Sequence, residues 1–274
     1  MVPKVITSTA NQIVKDLYAL RKRPDRDERG LFLIEGYRPV SRAQSCGFTF
    51  ETLYYSPELY LGSNEQALVD KIAASGTPVV RLSPEALAKA AYRDRPEGLL
   101  AVGRQWHTRL DELTLPSNPF VIVVESIEKP GNLGTILRSA DATGADAVIV
   151  CDPVTDLFNP NVVRSSTGVM FQVPTVVATS TDTIAYLKDH HINTVGAIVQ
   201  AAQNYSDADY TKPTAIVMGS EQFGLSDIWQ KACDTPVRLP MLGLADSLNV
   251  AAATVVLAYE VVRQRQNTHQ KASK

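Results

Sequence analysis

Three short segments carry the residue types that could do chemistry. The first, Glu125–Asp141 (ESIEKPGNLGTILRSAD), follows an apolar run and joins a Pro-Gly turn to a helical pattern. Strand, turn and helix in succession place ligand-binding groups at the carboxyl end of a sheet strand. Leu133, Ile136, Leu137 and Ala140 share the apolar helix face, which leaves Gly134, Arg138 and Asp141 on the other side. A planar, permanently charged guanidinium in a cleft suits a phosphate or carboxylate, and an ordinary surface pairing of Arg138 with Asp141 or Asp146 explains the same residue. The second segment, Ile216–Ser226 (IVMGSEQFGLS), is again a strand entering a glycine-bearing turn. Gly219 lets a ligand approach the backbone and Glu221 offers a carboxylate at the strand end, or merely a helix cap. The third, Val237–Asn249 (VRLPMLGLADSLN), ends in Ser247 and Asn249 where the last helix should open. Free N–H groups there would bind an anion, and capping is the plainer role for both side chains.

The elements that must position these segments follow from periodicity. Ile13, Val14, Leu17 and Leu20 make Asn11–Arg23 an amphipathic helix. Short strands at Leu31–Ile34, Thr52–Tyr55, Val79–Leu82 and Leu99–Val102 then alternate with helices near Pro39–Ser45, Glu65–Ala74 and Pro84–Ala91. A polar, proline-bearing stretch, residues 106–118, reads as a linker between residues 1–105 and 119–266. Beyond it, strands at Phe120–Val124, Ala147–Val150, Thr175–Ala178, Thr194–Val199, Thr214–Met218 and Pro236–Leu239 are apolar at nearly every position, as in a parallel sheet covered on both faces. A final helix over Ser247–Gln264, capped by Asp246 or Ser247, presents Ala251, Ala252, Val255, Val256 and Val262 to the core or to a subunit interface. Arg263 and Arg265 complement its dipole, and residues 267–274 form a flexible tail.

The 274-residue chain is long enough for two cores. No apolar run spans a bilayer and Met1–Ala10 lacks a secretory core, so a cytoplasmic address is expected. Cys46, Cys151 and Cys233 have neither disulfide nor zinc spacing, so no metal is expected. Net charge is −2, but residues 1–30 hold seven Lys/Arg against four Asp/Glu. Arg21, Lys22, Arg23, Arg26 and Arg29 cluster where a helix gives way to a loop, in reach of phosphates or as a solvated helix end.

In their order, PGNLGTILRSAD, IVMGSEQFGLS and LPMLGLADSLNVAAATVVLAYE resemble motifs 1, 2 and 3 of the SpoU (TrmH-type) branch of the SPOUT methyltransferases. Asn159-Pro160 and RSSTG at Arg164–Gly168 also fit, and GLFLIEGYRPV at Gly30–Val40 is similar to the substrate-binding domain often fused to these enzymes. The resemblance implies an α/β fold, with a mostly parallel C-terminal sheet tied in a deep trefoil knot and a small ribosomal-protein-like N-terminal α/β domain. It implies S-adenosylmethionine as cofactor, a homodimer, and methylation of a ribose 2′-hydroxyl in RNA, with rRNA ahead of tRNA. Carried over position by position, Asn132, Arg138, Glu221, Ser247 and Asn249 are the catalytic candidates. Gly219, Leu239, Met241 and Leu248 are the cofactor-binding ones. The N-terminal likeness turns Arg21, Lys22, Arg23, Arg26, Arg29, Arg93 and Arg95 into candidate RNA contacts, with Arg164. Ser220 and Gln222-Phe223 depart from the usual motif 2. Two other readings compete. A nucleotide-binding dehydrogenase fails for want of a GxGxxG pattern, and an RNA-binding factor without catalysis would bind no S-adenosylmethionine.

Overall fold

The computed structural model describes residues 5–272, with side chains to residue 267; of the flexible tail expected at 267–274, residues 267–272 instead continue the last helix and 273–274 lie outside the described residues. The chain divides into two compact units, residues 1–106 with 156–172, and residues 107–155 with 173–274.

The first unit opens with α1 (Gln12–Ala19) and α2 (Arg23–Arg29), then β1 (Leu31–Glu35), α3 (Tyr37–Ser45), β2 (Phe50–Tyr55), α4 (Glu65–Ala74), β3 (Val79–Arg81), α5 (Pro84–Ala90) and β4 (Leu99–Arg104). The single helix expected over Asn11–Arg23 is two. Pro24 cannot continue a helix from the preceding turn but suits the first turn of a new one, whose N-cap is Lys22. The basic cluster therefore lies on the break and along α2. The sheet order is β1-β4-β2-β3. Val14 and Leu17 of α1 and Leu20 at its C-cap pack with Ala86, Leu87 and Ala90 of α5 and with Leu33, Leu100 and Val102 of the sheet.

The second unit begins with β5 (Phe120–Glu125), α6 (Pro130–Thr143) and β6 (Ala147–Cys151). The chain then contributes α7 (Pro160–Ser165) to the first unit. There Phe158 and Phe171 pack, mostly tilted or edge-on, among Phe32, Phe48 and Trp106, with ring centroids 4.8 to 6.3 Å apart. Gly168, at φ +88°, is required in this segment, since a Cβ would sit 2.8 Å from Pro39 Cα. The second unit resumes with β7 (Thr175–Ala178), α8 (Ser180–Asp189), β8 (Asn193–Ala197), β9 (Gln203–Asn204), β10 (Thr214–Met218), α9 (Asp227–Ala232), β11 (Thr235–Arg238) and α10 (Val250–Ala272).

Its seven strands run in the order β7-β6-β5-β10-β8-β11-β9, each neighbouring pair parallel. The fold is α/β with a large parallel sheet. Every residue of β5, β6 and β10 is buried, which is what their continuous apolar runs require of a sheet covered on both faces. Because the strands are parallel, their carboxyl ends, and the loops that follow, share one edge.

The last helix starts at Val250, three residues later than expected, because Asn249 and not Asp246 or Ser247 caps it. Its Oδ1 accepts from the N–H groups of Ala251 (3.1 Å) and Ala252 (3.4 Å). The helix runs on to Ala272 instead of ending at Gln264, so Arg263, paired with Glu260, and Arg265 lie about two turns before its end and not at the dipole's terminus. Arg265 donates to the carbonyls of Asn118, Pro119, Tyr210 and Lys212, fastening the helix to the strand entrances. Ala251 joins the core with Leu257, Ala258 and Val261, whereas Ala252 is exposed and Val255, Val256 and Val262 are half-buried. Among the described residues no helix is long and apolar enough to cross a membrane.

Candidate functional site

The loops after β8, β10 and β11 and the first turn of α10 enclose a cavity of about 520 Å³ at the shared strand edge. This is within the range of roughly 300–1,000 Å³ that holds a drug-sized ligand. Gly219, Leu239, Met241 and Leu248, the four expected cofactor positions, all line it, with Glu221, Ser247 and Asn249. Ile198, Val199 and Gln200 after β8 form a wall that carries no sequence motif.

One chain of hydrogen bonds stitches the three segments together. Asn132 Nδ2, on α6, donates to Glu221 Oε1. Asn249 Nδ2 donates to Asn132 Oδ1 at 3.2 Å. The other oxygen of Glu221 is buried with no partner among the described residues. Since Asn249 Oδ1 already takes two N–H groups of the first turn of α10, that helix end has less free donor capacity than its sequence suggested.

Arg138 lies on the same helix as Asn132, six residues on and thus about 9 Å along the axis. It is exposed and has no hydrogen bond or ion pair among the described residues. The pairing with Asp146 that sequence allowed is absent, because the Asp146 carboxylate accepts the Phe120 N–H at 2.7 Å. No bond joins it to Asp141 either.

The loop carrying Glu221 is a tight hairpin. Ser220 and Gly224 exchange two backbone hydrogen bonds, at 3.0 and 3.1 Å. Gly219 sits so close beneath it that a Cβ would fall 2.1 Å from Gly224 C. The hairpin is pinned at its far end by Glu125, a carboxylate 5% exposed at the carboxyl end of β5. Glu125 accepts the Ser226 N–H at 2.8 Å and the Ser226 hydroxyl at 2.5 Å. Ser180, 3.3 Å from Glu125, has its single proton closer to Asp152 (2.6 Å) and accepts the Trp229 Nε1–H. Glu125 had no role among the sequence expectations, although a carboxylate closing an otherwise apolar strand was the available signal.

Nucleophilic thiol chemistry has no support here. Burial pushes the Cys151 and Cys233 thiols up to about 12, so neither supplies a thiolate near neutral pH.

In the first unit the basic candidates separate by partner. Arg26 is 1% exposed, donates to the carbonyls of Leu20 and Arg21 and pairs with Asp156 at 2.8 Å. A side chain so enclosed cannot meet a phosphate, which removes Arg26 from the RNA contacts expected from sequence. Arg23 pairs with Asp27, Arg29 with Asp16 and Arg93 with Glu97. Arg21, Lys22, Arg95 and Arg164 have no carboxylate partner among the described residues.

Residues 119–259 match the SpoU rRNA Methylase family, and residues 11–101 match the MRM3-like substrate binding domain. A 23S rRNA (uridine(2479)-2′-O)-methyltransferase of Streptomyces viridochromogenes is 32% identical over 253 residues, covering 90% of this chain and 87% of that protein. A 23S rRNA (guanosine(2553)-2′-O)-methyltransferase of Bacillus subtilis is 29% identical over 94% of this chain and 99% of its own length. The crystal structure of an AdoMet-bound rRNA methyltransferase from Sinorhizobium meliloti superposes with a TM-score of 0.86 at 31% identity, over 95% of this chain and 97% of that one. Motif geometry, cavity and full-length likeness agree: the chain belongs to the SpoU rRNA methylase family.

Proposed function

We propose that this protein transfers a methyl group from S-adenosylmethionine to a ribose 2′-hydroxyl of RNA, large-subunit rRNA foremost, with the second unit performing the transfer and the first gripping the RNA. The observation that carries the reading is the Asn132–Glu221–Asn249 chain, which joins all three motif segments at a cavity of cofactor size. The cavity suits the cofactor on two counts. Gly219 keeps backbone where any side chain would intrude, and the Glu221 oxygen without a partner is a ready acceptor. Gly219, Leu239, Met241 and Leu248 would hold the cofactor, which supplies the electrophilic methyl group when bound.

The chain's own residues must orient the ribose and dispose of its proton. A ribose hydroxyl is a weak acid, and a guanidinium is far too basic to accept a proton at neutral pH. Arg138, unpaired and planar, is suited to bind the phosphate beside the target ribose. The 2′-hydroxyl proton then passes to a phosphate oxygen that the guanidinium has oriented. Glu221 fixes the Asn132 amide, and Asn249 and Ser247 present polar groups at the cavity rim. Arg138→Lys keeps the charge and loses the planar fork. It should lower kcat by at least tenfold with S-adenosylmethionine affinity unchanged, whereas a near wild-type rate would refute the clamp. Calorimetry detecting no S-adenosylmethionine binding would instead favour an RNA-binding factor without catalysis. Mapping 2′-O-methyl marks in rRNA and tRNA with and without the gene identifies the target.

A homodimer belongs to the same proposal. Val255, Val256 and Val262 lie incompletely covered on α10 near exposed Tyr259, and Leu242, Leu244 and Phe223 stand exposed in the loops about the cavity. The insertion of β10 between β5 and β8 supports the trefoil threading that the family resemblance implies. We assign the protein to the cytoplasm, where its RNA would be met.

A further inference from the structure

We propose that Tyr18, Arg21, Lys89 and Tyr92 form a stacking site for unpaired nucleotides of the RNA, a proposal that rests on the RNA reading above. Tyr18, 37% exposed, projects from α1. The Arg21 guanidinium lies 4.7 Å from its ring centroid and 5.4 Å from that of Tyr92, and Lys89 Nζ of α5 lies 4.7 Å from the Tyr18 ring. Two aromatic rings thus alternate with two cations along one strip of the first unit.

The strip is held in advance of any ligand. Tyr92 is fixed at both ends, its N–H donating to buried Glu35 and its hydroxyl accepting from Asn161 Nδ2 at 2.8 Å. The carbonyl of Arg21 accepts from the buried Arg26 guanidinium at 2.9 Å, which gives Arg26 a part in shaping the strip from beneath. Arg95 stands three residues beyond Tyr92, and Arg164 one helical turn beyond Asn161. Arg21, Lys89, Arg95 and Arg164 have no carboxylate partner among the described residues, whereas Arg23 and Arg29 each have one.

This composition selects among RNA forms. A duplex offers its phosphates and 2′-hydroxyls outward and hides its base faces, so unpaired cations alone would serve it. Rings and a guanidinium plane interleaved with cations serve bases that are splayed out, which stack on such planes while the cations take the adjoining phosphates.

The test is fluorescence anisotropy of the full chain with a short oligouridine and with a blunt RNA duplex of equal length. The single strand should bind more tightly. Tyr18→Ala and Lys89→Ala should each weaken oligouridine binding by about tenfold, with Tyr18→Phe retaining it and Arg104→Ala, at an exposed arginine paired with Glu51 on β4, changing it less than twofold. Lys89→Ala should also lower the salt slope by about one. Equal or tighter binding of the duplex, binding of neither probe, or an unchanged affinity in Tyr18→Ala would overturn the proposal. S-adenosylmethionine binding and methyl incorporation into a 23S rRNA transcript separate the two readings. Wild-type methylation with an inert Tyr18→Ala sinks the stacking site alone, and loss of wild-type methylation sinks the function while leaving the oligouridine result to stand by itself.

Discussion

Substituting Gly219 by Ala adds one methyl group where the backbone has left no room. The new Cβ would lie 2.1 Å from Gly224 C, 2.3 Å from Gly224 O and 2.3 Å from Leu225 N, whereas ordinary contact begins at 3.4 Å. The hairpin must retreat by about 1.3 Å, the difference between 3.4 and 2.1. All three obstacles are backbone atoms, so no rotamer change relieves the clash. Overpacking of this kind costs about 1–3 kcal/mol. The retreat also strains the two Ser220–Gly224 hydrogen bonds and carries Glu221 away from Asn132. Displacement of a positioned group by about 1 Å costs on the order of a hundredfold in function. Gly219→Ala should therefore weaken S-adenosylmethionine binding by about that factor in titration calorimetry and lower Tm by several degrees. Gly131→Ala is the control. It lies in the first turn of α6, where an added methyl would meet nothing within 4 Å, so Tm should hold or rise. Cofactor affinity within twofold of wild type in Gly219→Ala, at unchanged Tm, would refute the reasoning.

Three further outcomes follow from buried polar groups. Glu125→Ala leaves the Ser226 N–H and hydroxyl without their acceptor, at about 1–3 kcal/mol for each unsatisfied group. It should loosen the hairpin, weakening cofactor binding and shifting Trp229 emission in a Trp106→Phe background. Asp156→Ala strands the Arg26 charge at 1% exposure and should cost about 3–5 kcal/mol in urea unfolding; an Arg26→Met/Asp156→Leu pair should recover most of it. Burial raises the Glu35 carboxyl above its usual 4.5, against the lowering effect of the Tyr92 and Arg93 N–H groups and the Arg93 charge. The folded chain then binds that proton more tightly than the unfolded one. Its contribution is fully present below about 4.5 and is lost as pH climbs through the folded value. Tm measured across that window should fall less steeply in Glu35→Gln.

The central strands of the second unit were legible because burial on both faces writes itself as apolar runs, as at Phe120–Glu125 and Thr214–Met218. β9, with two residues, left no such trace. The split at Pro24 and the cap at Asn249 turned on local backbone chemistry that a periodic pattern overrides by only a few residues. The site was legible one motif at a time, and each motif alone admitted a capping or surface-pair explanation. What periodicity could not express was the strand order that carries Asn132, Glu221 and Asn249 to one point. Nor could it show that Arg26 turns inward, since only the fold supplies Asp156. The Ile198–Gln200 wall had no motif because its contribution to the cavity is shape.

The position of β10 has a bearing on how the molecule comes into being. β5 pairs with a strand made long after it, and β8, made before β10, stands on the far side of that newcomer. The β5 edge stays bare until β10 arrives, and β8 has no sheet neighbour until β10 and β11 are made. Pairings so distant in sequence form slowly, because the loop must close before any contact rewards it. During synthesis the cavity is absent until Leu239–Asn249 and the start of α10 have left the ribosome. The capacity to hold a cofactor is thus acquired only after all seven strands of the second unit's sheet have been made.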